Sequence, residues 1–103
     1  MLELNKLNQS LIIKKIDNET LNIQVTDNEI LMLIVGQFDQ NLKELSKLTD
    51  TNVFFRGNSI TCKGSKDNLN IFSEAIKFLI NKYTLTNVIE KEDILLSVKK
   101  NKT

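Results

Sequence analysis

Histidine, proline and tryptophan are absent from these 103 residues, cysteine occurs once and glycine only three times. Without histidine the commonest general base is missing, and a His/Cys metal site has too few donors to form. Cys62 has no second thiol in the chain, so no internal disulfide forms, and a reducing cytoplasm is the expected setting. No apolar run reaches the roughly 20 residues that a membrane-spanning helix needs. The opening Met1-Leu2-Glu3-Leu4-Asn5-Lys6 lacks the basic start and apolar stretch of a signal peptide. No membrane partner, no metal and no catalytic residue is expected from the chain.

An excess of one charge is lacking too: 14 basic against 13 acidic side chains leave a formal net charge of +1. Nucleic-acid binders usually carry a clear basic excess, because phosphate contacts dominate their affinity. Any such binding here must come from a local patch and is expected to be weak. The apolar content of 41% supplies one modest core.

What is present is a run of well-punctuated elements. Leu11-Ile12-Ile13, the turn formers Asp17-Asn18, and Leu21, Ile23 and Val25 alternating with polar residues predict an N-terminal hairpin. Thr26-Asp27-Asn28-Glu29 has the spacing of a capping box and predicts a buried helix over Ile30 to Val35, ended by Gly36. Asp39 is placed to cap a second helix with Leu42, Leu45 and Leu48 as its apolar stripe, and Lys43 and Lys47 outside that stripe. Val53 and Phe55, then Ile60 and Cys62, alternate as two strands joined by Gly57-Asn58, a strong hairpin signal because both residues accept positive φ. Ser65 opens a long helix from Lys66 to about Tyr83, and a short helix from about Lys91 to Val98 follows Thr84-Leu85-Thr86-Asn87. The lysine-rich end is expected to be solvated.

The order strand–helix–helix–strand–strand–helix, with an additional N-terminal strand, predicts an α+β fold whose helices pack on one face of a small antiparallel sheet. Ile34-Val35-Gly36 running into Leu42-Lys43-Glu44-Leu45 resembles the KH domain, with Asp39 standing where that pattern has its second glycine. Asn28, Gly36, Asp39, Asn41 and Leu42, then Arg56-Gly57-Asn58, Gly64 and Glu92-Asp93-Ile94 resemble the N-terminal KH-like region of PhoH-like (phosphate starvation-inducible) P-loop ATPases. This likeness runs over about residues 21 to 98. It implies an N-terminal extension over 1–20, a KH-like core over 21–83, and a tail with a short helix over 84–103 leading toward an ATPase domain. In that family ATP and magnesium chemistry belong to the ATPase domain, whose motifs these residues lack. Gly57 to Gly64 has the outline of a phosphate-binding loop, but Cys62 and Gly64 occupy the positions that need glycine and a hydroxyl, so it is read as a hairpin.

The resemblance implies contact with single-stranded RNA through the loop Gly36-Gln37-Phe38-Asp39-Gln40-Asn41. The same loop also reads as a tight helix–helix turn or a protein contact. Asp39 argues against RNA, because a capping carboxylate would occupy the N–H groups that should meet phosphate and would repel it. Lys43, Lys47, Arg56 and Lys63 read as a basic rim beside the groove or as ordinary solvated charge. Phe38 is expected to plug the gap between the two short helices, or else to serve as a stacking platform. Phe54, if uncovered, would mark a docking surface for the ATPase or another chain. The leading expectation is an RNA-binding accessory module; the alternative is a protein-interaction or assembly domain, with self-association open.

Overall fold

A computed structural model describes residues 11–102, with side chains through residue 99. The 1–10 part of the expected N-terminal extension lies outside the described residues. Four strands form one antiparallel sheet: β1 (Leu11–Asp17), β2 (Thr20–Val25), β3 (Asn52–Arg56) and β4 (Ser59–Lys63), in the spatial order β1-β2-β4-β3. Four helices accompany it: α1 (Asn28–Val35), α2 (Gln40–Thr49), α3 (Lys66–Thr86) and α4 (Lys91–Lys102).

Alternation decides which side of the sheet is covered. Ile23 and Val25 on β2, with Ile60 and Cys62 on β4, are fully buried beneath the helices. Val53 and Phe55 on β3 are half-buried on that same side, while Phe54 and Arg56 point to the other. The helices contribute Ile34, Leu45, Phe72, Ile76 and Leu79 to one continuous core. The helices thus lie on one sheet face, as the sequence pattern predicts, and among the described residues no element packs on the opposite face.

The hairpin of β1 and β2 forms where the alternation predicts it. Its turn is held by Asp17, whose Oδ1 accepts from the Glu19 N–H at 2.8 Å. The register shifts between Lys15 and Asp17 at the sheet's edge.

Several boundaries differ from the sequence reading. The cap of α1 is Asp27, not Thr26: its Oδ1 accepts from Glu29 N at 3.0 Å and Ile30 N at 3.1 Å. The threonine starts the capping-box spacing, but the aspartate one residue later sits closer to the first free N–H groups. In the β3–β4 turn only Gly57 takes positive φ, at 63°, and Asn58 does not. Helix α3 runs on through Thr84-Leu85-Thr86 to a left-handed cap at Asn87, and α4 extends past Val98 to Lys102. The segment read as a tail is packed: Ile94 and Val98 are buried in the same core as the sheet residues. Asp93 reinforces this attachment, taking an ion pair from Lys82 of α3 at 2.9 Å and the Glu90 N–H at 2.8 Å.

Candidate nucleic-acid interface

The loop between α1 and α2 is built on two anchors. Gly36, at φ 78°, sends its N–H back to Met32 O at 2.9 Å and turns the chain out of α1. Asn41 Nδ2 then donates to Leu33 O at 3.0 Å, tying the start of α2 to the end of α1. A Cβ on Gly36 would meet the Asn41 side chain at 2.7 Å, so the loop packs only with glycine there. Between the anchors Gln37–Asp39 form a single 3-10 turn, with Asp39 N donating to Gly36 O at 3.2 Å.

Two expectations for this loop are corrected. Asp39 does not cap α2: it sits in the left-handed region (φ 59°, ψ 22°) and its side chain makes no capping hydrogen bond. A capping residue needs an extended backbone to fold its side chain over the first N–H groups, and the 3-10 turn denies it that. The carboxylate therefore does not occupy the α2 N-terminus, although its charge remains beside it. Phe38, also left-handed at φ 56°, does not plug the gap between helices. It is 84% exposed at the loop tip, because Gly36, Asn41 and the buried Leu42 already close that gap.

Beside the loop lies a cleft of about 210 Å³ between α2 and β3, lined by Asp39, Leu42, Lys43, Ser46, Val53 and Phe55. Leu42, Val53 and Phe55 give it an apolar floor. The Ser46 hydroxyl is turned to Thr51 O, and Lys43 and Asp39 stand at the rim with opposite charges. Of the candidates from sequence, this arrangement brings Lys43 together with Asp39. Gln37 and Phe38 are exposed in the adjoining loop, and Gly36 and Asn41 shape it from behind. Lys47 is exposed one turn further along α2 and is not among the residues lining the cleft.

Arg56 and Lys63 are not part of a common rim with Lys43. Both project on the uncovered sheet face, together with Phe54, which is 57% exposed. Strand alternation explains the separation: Val53 and Phe55 turn to the cleft, so Phe54 and Arg56 must turn away. Sequence reasoning missed Leu42, Ser46, Val53 and Phe55 as cleft residues. Alternation already placed the last two on the helical side, but that β3 lies beside α2 is a tertiary fact.

Cys62 is buried on the helical side of β4, and burial pushes its thiol up to about 11. It is a core residue without an activating base. Among the described residues no group of three His, Cys, Asp or Glu side chains is placed to hold a metal ion, and no helix is long and apolar enough to cross a membrane.

No protein-family model matches the chain, and no curated protein matches it. A solved structure does. It is a chain in the crystal structure of an a/eIF2alpha–aDim2p–rRNA complex from Pyrococcus horikoshii OT3, with a TM-score of 0.59 over 94% of the present chain. The fold is KH-like. Identity is 14% and the match takes up 50% of that archaeal chain, so the present chain spans half its length and shares its fold. In the KH-like frame the α1–α2 loop and the α2–β3 cleft are neighbours along one side of the domain.

Proposed function

We propose that the chain is a KH-like module that binds single-stranded RNA, with bases lying in the α2–β3 cleft and the phosphate backbone passing the Gly36–Asn41 loop. The observation that carries this reading is the cleft itself. It has an apolar floor of Leu42, Val53 and Phe55 with Lys43 at its edge, beside a helix N-terminus that Asp39 leaves uncapped. The archaeal neighbour, from a complex that contains rRNA, is consistent with it. Near-neutral charge keeps the expected affinity low. The PhoH-like resemblance adds a context: an accessory domain working for a P-loop ATPase in the cytoplasm, with ATP and magnesium handled by that ATPase and no catalysis in this chain.

The test is fluorescence anisotropy of a labelled oligouridylate titrated with the chain at low salt. Saturable binding that weakens with salt, and weakens further in Lys43→Ala, supports the reading. Lys43→Ala should lower the slope of log affinity against log salt by about 0.7, the share of one phosphate contact on a single strand. Binding indifferent to Lys43 removes the cleft from the account.

Asp39 favours a second reading, a protein-interaction or assembly domain. Its carboxylate stands on the rim where a phosphate would approach, and the exposed Phe38 beside it is an apolar contact point. Asp39→Gly separates the two. On the RNA reading it tightens binding and steepens the salt dependence.

A further inference from the structure

The uncovered face of the sheet carries its own chemistry. The pairing register sets Lys14, Asn22, Thr61 and Phe54 side by side across all four strands, and Ile12, Gln24, Ser59 and Arg56 in the next row. Both rows lack a carboxylate and each holds one cation. Lys63 stands one row further, within electrostatic reach of Asp17 at the sheet's end. Asn22 is held flat on the face by donating to Ser59 Oγ and, at 3.2 Å, to Thr61 Oγ1. Around these residues lies a shallow concavity of about 770 Å³ that includes Phe54, Arg56 and Lys63. An apolar docking face would need aliphatic neighbours around Phe54. Its neighbours in the register are Thr61 and Asn22, with Arg56 in the next row, and the exposed Ile12 lies on the far edge strand.

We propose that this open face is a second contact for single-stranded nucleic acid. One base stacks on Phe54, the Arg56 guanidinium meets the phosphate backbone or a neighbouring base, and the hydroxyl and amide groups of Thr61, Ser59 and Asn22 meet base or sugar edges. The proposal takes its ligand class from the reading above but uses none of the cleft's functional side chains. β3 joins the two surfaces, because it is an edge strand that presents Val53 and Phe55 to the cleft and Phe54 and Arg56 to the open face. A strand leaving the cleft over that edge meets Phe54 first. Charge complementarity selects the occupant: the two rows are cationic in a chain whose overall charge is +1.

The experiment compares a uridine tetranucleotide, about the length a KH cleft clamps, with an oligouridylate of roughly three times that length. Wild-type chain should bind the longer probe more tightly. Phe54→Ala and Arg56→Ala should each cost at least about fivefold on the longer probe, the lower end for one stacked base, and leave the tetranucleotide unchanged. Phe54→Tyr should keep most of the affinity. Phe54 and Arg56 are exposed, so the variants should melt like wild type, which circular dichroism checks. If both alanine variants bind the longer probe as wild type does, the proposal is overturned, even where Lys43→Ala confirms the cleft. If the tetranucleotide fails while the longer probe binds through Phe54 and Arg56, the cleft reading falls and this one stands. Binding to neither probe sinks both, and a dimer abolished by Phe54→Ala would show that the face covers a second copy instead.

Discussion

At the scale of single residues, Gly36 and Gly57 share a positive φ and differ in what surrounds them. Gly36→Ala faces backbone strain together with the Asn41 side chain 2.7 Å away, whereas an added Cβ at Gly57 meets nothing within 4 Å. Urea unfolding should place Gly36→Ala about 2–4 kcal/mol below wild type, adding strain and a lost Asn41 hydrogen bond. Gly57→Ala should lose only the left-handed penalty of about 1 kcal/mol. Equal losses would show that Asn41 moves aside freely. Cys62 offers a second residue-scale expectation. With its thiol buried and pushed up to about 11, it should resist a thiol reagent near pH 8 in the folded protein and react fully once urea unfolds the chain. Rapid native-state labelling would contradict its burial.

At the scale of elements, the two short helices begin in different ways, and mutation separates them. Asp27 accepts two N–H bonds at the start of α1, so Asp27→Ala should cost about 1 kcal/mol of stability. Asp39 makes no such bond and holds a left-handed backbone. Asp39→Gly should therefore leave stability unchanged or raise it, since glycine adopts that conformation without a Cβ penalty. A marked loss in the same urea titration would mean that the carboxylate holds α2 after all. That Gly36 ends α1 was legible from sequence. That Asp39 fails as a cap was not, because spacing alone cannot reveal the 3-10 turn that rotates its backbone.

At the scale of the whole molecule, α4 is locked to α3 through Asp93. The Lys82 ammonium, and then the Glu90 N–H, hold its carboxyl below the ordinary carboxylate value of 3.8. A carboxyl lowered by folding contributes stability that is complete above its unfolded value and is lost as pH falls through its folded one. Thermal stability should accordingly decline as the pH drops below about 4, and Asp93→Asn should flatten that decline while lowering the melting temperature at neutral pH. An unchanged acid limb in the variant would assign the decline to other carboxyls; Asp17, lowered chiefly by the Glu19 N–H, acts in the same direction.

Local chemistry in the sequence determined the elements, their order and the inward residues of each strand, because apolar period, caps and a Gly-Asn turn act over a few neighbouring positions. The same alternation separated Phe54 and Arg56 from Val53 and Phe55. Only the tertiary structure decided that β3 is an edge strand beside α2, that Lys43 and Arg56 lie on different surfaces, that Phe38 stands exposed, and that α4 belongs to the core. Each of these depends on which distant segments pack together, and that is settled by burying the apolar stripes of several elements at once.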